Sequence, residues 1–213
     1  ETQITDGKIN LRGNLVSRAQ PKRADYVLYI NANNPIAIVE AKDNQHAVAD
    51  GLQQAMTYAQ MLDVPFAYSS NGDAFREHDF LMGTERDIAM EDFPTLDELY
   101  ARFQKGANGG AGLTRAEEAI IGQPYYSSQS TYPPRYYQRA AVNRTLDAIA
   151  RGQNRILLVM ATGTGKTYTA FQIVYRLLRS GMKKKILYLA DRNILVDQSI
   201  QQDFAPLEKT IHK

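Results

Sequence analysis

Residues 155–167, RILLVMATGTGKT, narrow the possible folds of this chain more than any other stretch. RILLVM is a short apolar run that predicts a buried strand over 155–160, and KTYTAFQIVYRLLRS predicts a helix over 166–180. The loop between them carries Gly163 and Gly165, which let backbone N–H groups converge at the positive end of the helix, where phosphate oxygens bind. Thr162, Gly163, Thr164 and Gly165 form the expected cradle, Lys166 the group that reaches the β- and γ-phosphates, and the Thr167 hydroxyl a ligand to Mg²⁺. The pattern G-x-x-x-x-G-K-[ST] is met except at its first place, where Met160 stands. KKKILYLA (183–190) predicts a second strand and NILVDQSIQQDF (193–204) another helix. Apolar strands alternating with helices imply a parallel sheet covered on both faces.

A motor of this kind also needs a carboxylate on a later strand to hold magnesium and activate water. After Thr167 the acids are Asp191, Asp197, Asp203 and Glu208, and none has that setting. The expectation is a truncated motor that binds nucleotide without hydrolysing it efficiently, in a chain that begins inside a longer protein or after processing.

Charge separates the chain into halves. Residues 1–105 hold 10 Lys/Arg against 16 Asp/Glu, a net of −6; residues 106–213 hold 15 against 7, a net of +8. The stretch 106–134 is rich in glycine, serine and proline in its loops and reads as the connection between domains at 1–105 and 135–213. No cysteine, no signal-like N-terminus and no long apolar run is present, which favours a cytoplasmic protein with no membrane partner.

The acidic half predicts strands at DYVLYI (25–30), PIAIVEAK (35–42), PFAYSS (65–70) and AFREHDF (74–80). Between the second and third, Val48, Leu52, Ala55, Met56, Ala59 and Leu62 share one helical stripe from 47 to 62. A further helix over 95–106 opens with a capping box, Thr95 to Glu98. Glu40 and Lys42 interrupt the apolar strand and point to one face. A hairpin turning at 31–34 and pairing Ile30 with Pro35 sets Asp25 opposite Glu40, whereas a slip of one residue breaks that alignment. Two facing carboxylates repel unless a cation lies between them, and hard oxygen ligands suit Mg²⁺. Such an ion would bind a scissile phosphate oxygen, with Lys42 orienting water or stabilising the developing charge, which is phosphodiester cleavage chemistry. A solvated strand end with a surface ion pair is the competing reading. Gln54 and Tyr58, four apart, edge the helical stripe on that side. His46, His78 and His212 do not cluster; YPPRYY (132–137) and Lys183–Lys185 read as packing and a solvated turn.

In order, RADYVLYINANNPIAIVEAK, QAMTY and YYQ…MATGTGKT resemble the motor-nuclease subunit of type I restriction enzymes, and YYQRAAVNRTLDAIARGQNRILLVMATGTGKTYTA resembles the start of a superfamily 2 helicase or translocase. The resemblance covers nearly all of the chain. It implies an α/β restriction-endonuclease-like mixed sheet with flanking helices, followed by an incomplete RecA-like parallel α/β motor domain. It implies Asp25, Glu40 and Lys42 as catalytic positions, with Asp25 and Glu40 as metal ligands, and Gln54 with Tyr58 as an accessory Q-x-x-x-Y motif that engages DNA. Ala24 stands where the family often has proline, and Glu1 is left unassigned as a remnant of the family's early glutamate. The resemblance further implies that Gln138 reads adenine, hence ATP, and that Arg192, in LYLADRNILVDQS, contacts the nucleic-acid backbone. Duplex DNA and separate methylation and specificity subunits are the implied partners. The alternative is a repair or remodelling helicase whose N-terminal domain binds DNA without cutting it; a nucleotide-gated module with no nucleic-acid substrate is a third.

Overall fold

The computed structural model of the chain describes residues 2–5, 9–12, 15–18, 20–32, 34–128, 133–190 and 193–212. It divides into two units, Glu1–Leu113 and Thr114–Lys213. Of the stretch expected to connect domains, Ala107 is buried in the first unit, and Ile120 and Tyr125 in the second. Among the described residues no helix is long and apolar enough to cross a membrane.

The first unit opens with short strands β1 (Thr2–Thr5), β2 (Ile9–Arg12), β3 (Leu15–Arg18) and β4 (Lys22–Ala24), paired β1 with β4 and β2 with β3. Its main sheet contains β5 (Tyr26–Asn31), β6 (Asn34–Ala41), β7 (Phe66–Ser70), β8 (Ala74–Asp79) and β9 (Thr84–Ala89), in that spatial order. Strands β6 and β7 run parallel and the other neighbours antiparallel. A parallel pair needs a crossover, and helix α1 (Leu52–Leu62) supplies it. The helix is shorter than the stripe suggested, because residues 47–51 form turns.

Alternation along the central strands loads both faces. Ile38 and Ala67 meet Ala55, Tyr58 and Ala59 of α1 on one face. Ala37, Val39, Phe66 and Tyr68 meet Leu99 of helix α2 (Leu96–Gly106) on the other. The Thr95–Glu98 capping box starts α2, as the sequence indicates. A polar cluster also fastens this helix. Arg102 reaches both oxygens of Glu77 at 2.8 Å and Asp79 at 2.8 Å, and its guanidinium lies over Phe66.

The second unit is mostly helical: α3 (Arg115–Gly122), α4 (Tyr136–Ala150), α5 (Lys166–Arg179) and α6 (Asn193–Gln201). Its core gathers Ile120, Tyr125, Val142, Leu146 and Leu177. The buried Gln172 amide holds the backbone of Tyr126 at both N–H and C=O, and the buried Arg176 donates to Ile120 O and Asn143. The parallel sheet expected here is not formed among the described residues. The segments 155–160 and 183–190 pair with no strand, and Leu157, Val159, Leu187 and Leu189 are 80–88% exposed. An apolar run becomes a strand only when a neighbour takes up its N–H and C=O groups, and no described segment does so here.

Candidate active site

The hairpin register decides whether Asp25 can meet Glu40. Strand β5 pairs with β6 as Tyr26↔Val39, Val27↔Ile38 and Leu28↔Ala37. These are the pairings that set Asp25 opposite Glu40. The expected Ile30–Pro35 pair does not form: the register shifts after Leu28, so Tyr29 faces Pro35 and Asn31 faces Asn34. The irregularity stays at the turn end and leaves the other end aligned.

Asp25 lies at the bend between β4 and β5, and each acid accepts a backbone N–H from the other's segment. The Asp25 N–H donates to Glu40 Oε1 at 3.3 Å, and the Ala41 N–H donates to Asp25 Oδ2 at 2.9 Å. Glu40 is 1% exposed. Burial, and then the charge of Asp25, hold its carboxyl at about 7, against a usual 4.5; the Asp25 N–H and the Lys42 ammonium oppose that rise. A carboxyl so placed is short of positive charge.

Helix α1 supplies the remaining groups. Gln54 Nε2 donates to Glu40 Oε2 at 2.6 Å, and Gln54 Oε1 accepts from Lys42 Nζ at 3.5 Å. One amide thus spans carboxylate and ammonium. The same Nε2 lies 3.4 Å from the Tyr58 hydroxyl, whose ionisation is disfavoured by burial and then by Glu40. Lys22 Nζ sits over the Tyr58 ring at 5.9 Å. Asp25, Glu40, Lys42, Gln54 and Tyr58, drawn from a bend, a strand end and a helix, therefore form one connected cluster. Sequence reasoning overlooked two residues at its edge, Gly51 and Ser69. Ser69 Oγ accepts from the Gly51 N–H at 3.0 Å, and Ser69 faces Glu40 in the β6–β7 ladder. Among the described residues no three His, Asp or Glu side chains are arranged to hold a metal ion, so the acidic donor set here is the Asp25–Glu40 pair.

The glycine loop of the second unit is a separate site. Gly163 and Gly165 adopt φ of 78° and 80°, a left-handed conformation that favours glycine, and Gly165 leads directly into α5. Lys166 and Thr167 open that helix, at its positive end. Lys166 Nζ donates to Ala161 O at 3.2 Å and Thr164 Oγ1 to the same oxygen at 2.6 Å, folding the loop back on itself. Gln138 is buried; its Nε2 donates to Thr164 O at 3.0 Å and its Oε1 accepts from the Arg135 N–H at 2.9 Å. The residue implied to read adenine is thus also the brace of the loop. Thr162 is exposed, and Arg192 lies outside the described residues.

Comparison with known proteins now bears on these two sites. Residues 11–86 match the family described as Type I restriction enzyme R protein N terminus (HSDR_N), a range that contains the whole carboxylate cluster. The first unit carries this R-protein N-terminal domain. Residues 131–213, with the glycine loop, match the family described as Type III restriction enzyme, res subunit. The chain is 47% identical over 217 residues to the type I restriction enzyme EcoAI endonuclease subunit of Escherichia coli, covering 100% of this chain and 26% of that relative. It is 31% identical over 222 residues to the EcoKI endonuclease subunit of Escherichia coli (strain K12), covering 83% of this chain and 18% of that one. A solved structure described as a fragment of an HsdR subunit from Vibrio vulnificus YJ016 is 40% identical with a TM-score of 0.67, covering 84% of this chain and 33% of that one. The chain therefore spans a minor part of the length of the R-protein relatives it matches.

Proposed function

We propose that this chain carries the Mg²⁺-dependent DNA endonuclease site and the nucleotide loop of an ATP-driven DNA translocase, as part of the restriction subunit of a type I restriction-modification system. In this reading the first unit is a restriction-endonuclease-like domain and the second belongs to a RecA-like motor. The observation that carries the nuclease half is the buried Glu40 carboxylate, set against Asp25 and tied through Gln54 to Lys42.

The residues present fit Mg²⁺. Two hard oxygen donors face each other, and the Glu40 carboxyl, held near 7, is favoured in its charged form by any added cation. Asp25 and Glu40 would hold the ion. When bound, it supplies the positive charge that polarises a scissile phosphate and makes water more acidic. Lys42 orients the attacking water with its ammonium N–H groups and stabilises the charge that develops on the phosphate oxygens. Gln54 keeps the Glu40 carboxylate in one orientation and holds Lys42 beside it, so the acid and the cation do not collapse into a direct pair. Tyr58 steadies Gln54 from behind and, with it, engages DNA.

In the motor half, Thr162 to Gly165 would cradle nucleotide phosphates, Lys166 would neutralise them, Thr167 would hold Mg²⁺, and Gln138 would select adenine, hence ATP. Arg192 contacts the DNA backbone. The substrate is duplex DNA, and methylation and specificity subunits are the partners, in the cytoplasm. The test is cleavage of duplex DNA by the full-length subunit in its complex. Cleavage is expected to need Mg²⁺ and to be lost in Asp25→Ala with ATP hydrolysis retained. Cleavage by Asp25→Ala at the wild-type rate refutes the reading.

A further inference from the structure

Gly51 is buried at the start of α1 with φ −87° and ψ −11°, a backbone conformation open to any L-residue. Glycine is therefore not required there by the chain's own geometry. It is required by space. A Cβ at this position would stand 2.7 Å from Ser69 Oγ, 3.3 Å from Glu40 Cβ and 3.4 Å from Lys42 Cε. All three neighbours belong to the carboxylate cluster or to the strand beside it. Ser69 is itself fully buried, lies opposite Glu40 in the parallel ladder, and receives the Gly51 N–H.

We propose that Gly51 and Ser69 are positioning residues for the nuclease site; the inference rests on the nuclease reading above. Ser69 latches the first turn of α1 to the strand next to Glu40. The missing side chain at Gly51 lets that turn close far enough for Gln54, one turn further in, to span Glu40 and Lys42. Neither residue touches the reacting groups. A side chain at position 51 meets the Ser69 hydroxyl first, at 2.7 Å, and while that latch holds it must lift α1 from the sheet or push Glu40 and Lys42 aside. Either movement breaks the 2.6 Å contact between Gln54 and Glu40. Outer contacts that orient a metal-binding carboxylate are typically worth roughly 10–100-fold in metal affinity or activity.

The test uses the full-length subunit in its restriction complex. Gly51→Ala, Ser69→Ala and the double variant are compared with wild type in single-turnover DNA cleavage, DNA affinity, ATP turnover and amide hydrogen exchange over the start of α1. Gly51→Ala is expected to slow cleavage roughly 10–100-fold with ATP turnover retained. Ser69→Ala is expected to speed exchange of the Gly51 amide and to slow cleavage less. The double variant should cleave faster than Gly51→Ala, because removing Oγ clears the 2.7 Å overlap. Two merely destabilising changes would add and show no such recovery. Wild-type cleavage by Gly51→Ala, or a double variant slower than either single one, overturns the proposal. If Gly51→Ala does not fold, Ser69→Ala decides alone, and unchanged exchange with unchanged cleavage overturns it. Lys42→Ala, run in parallel, separates the two failures. If it still cleaves, the nuclease reading itself is wrong; if it is inactive while Gly51→Ala is unimpaired, only the positioning role is.

Discussion

Glu40 Oε2 accepts a hydrogen bond from Gln54 Nε2 across 2.6 Å, joining a strand end to a helix fourteen residues further along the chain. The carboxylate is otherwise enclosed by its own strand, the bend at Asp25 and the first turn of α1. Its orientation is therefore set by a neutral amide rather than by an ammonium. That leaves Lys42, on the other end of the same amide, available to substrate.

Gln54→Ala removes both connections at once. Cleavage by the full-length subunit is expected to fall roughly 10–100-fold, with ATP turnover retained. Gln54→Glu should do no better, because a second carboxylate against Glu40 replaces a donor with a like charge. Single-turnover cleavage of duplex DNA measures both.

Glu40 also makes a prediction about stability without metal. Its carboxyl sits near 7 in the folded chain and near 4.5 when exposed, chiefly through burial and then through Asp25. A raised carboxyl costs native stability as pH climbs from 4.5 to 7, and the full cost is present above 7. In chelator at pH 8, Glu40→Gln should therefore be more stable than wild type, by up to about 3 kcal/mol. The difference should vanish at pH 4. Calorimetric melting at the two pH values decides this.

Glu77 behaves in the opposite sense. Burial pushes its carboxyl up, but hydrogen bonds from Arg102, Arg86 and Tyr68 outweigh that and bring it down to about 2. A depressed carboxyl stabilises the fold above its ordinary 4.5, and that contribution is lost as pH falls from 4.5 to 2. Arg102→Ala removes the cation shared by Glu77 and Asp79, leaving Glu77 to Arg86 and Tyr68, and should cost about 1–3 kcal/mol at neutral pH. Its acid-unfolding transition should also shift to higher pH than that of wild type. Chemical denaturation across pH 2–7 follows both effects.

In the second unit, Gly165→Ala would drive a Cβ into the Gln138 side-chain amide at a backbone φ of 80°. Left-handed backbone alone costs an alanine about 1–2 kcal/mol, and the brace from Gln138 to Thr164 O must also break. Nucleotide binding by the full-length subunit should be lost in Gly165→Ala, as in Lys166→Ala, while the melting of the first unit is unchanged. Calorimetric titration with a non-hydrolysable ATP analogue reads the first effect.

How far the molecule is legible in its sequence follows from the range of each contact. The Asp25–Glu40 opposition is readable because alternation and a short turn fix a hairpin locally, and the pairings nearest the site keep the expected register. The turn is not readable: the shift after Leu28 has no signature in its residue types. Strand β9, TERDIA, escapes notice because it is an edge strand whose Glu85 and Asp87 answer Arg76 and His78 rather than alternating with apolar residues. Gly51 and Ser69 escape for another reason. Eighteen residues separate them, and only the packing of α1 on the sheet reveals that a side chain at 51 has no room. The apolar segments 155–160 and 183–190 show the converse: their pattern is plain, yet a ladder depends on neighbours that no local pattern supplies.

The central claim is that the Glu40 carboxylate is a working part of a DNA-cleaving site. Single-turnover cleavage of duplex DNA by full-length Glu40→Gln in its restriction complex, with ATP turnover measured in the same samples, tests it most directly. The account predicts cleavage reduced by at least about 100-fold beside undiminished ATP turnover. Cleavage at the wild-type rate, or cleavage and ATP turnover falling together, would contradict it.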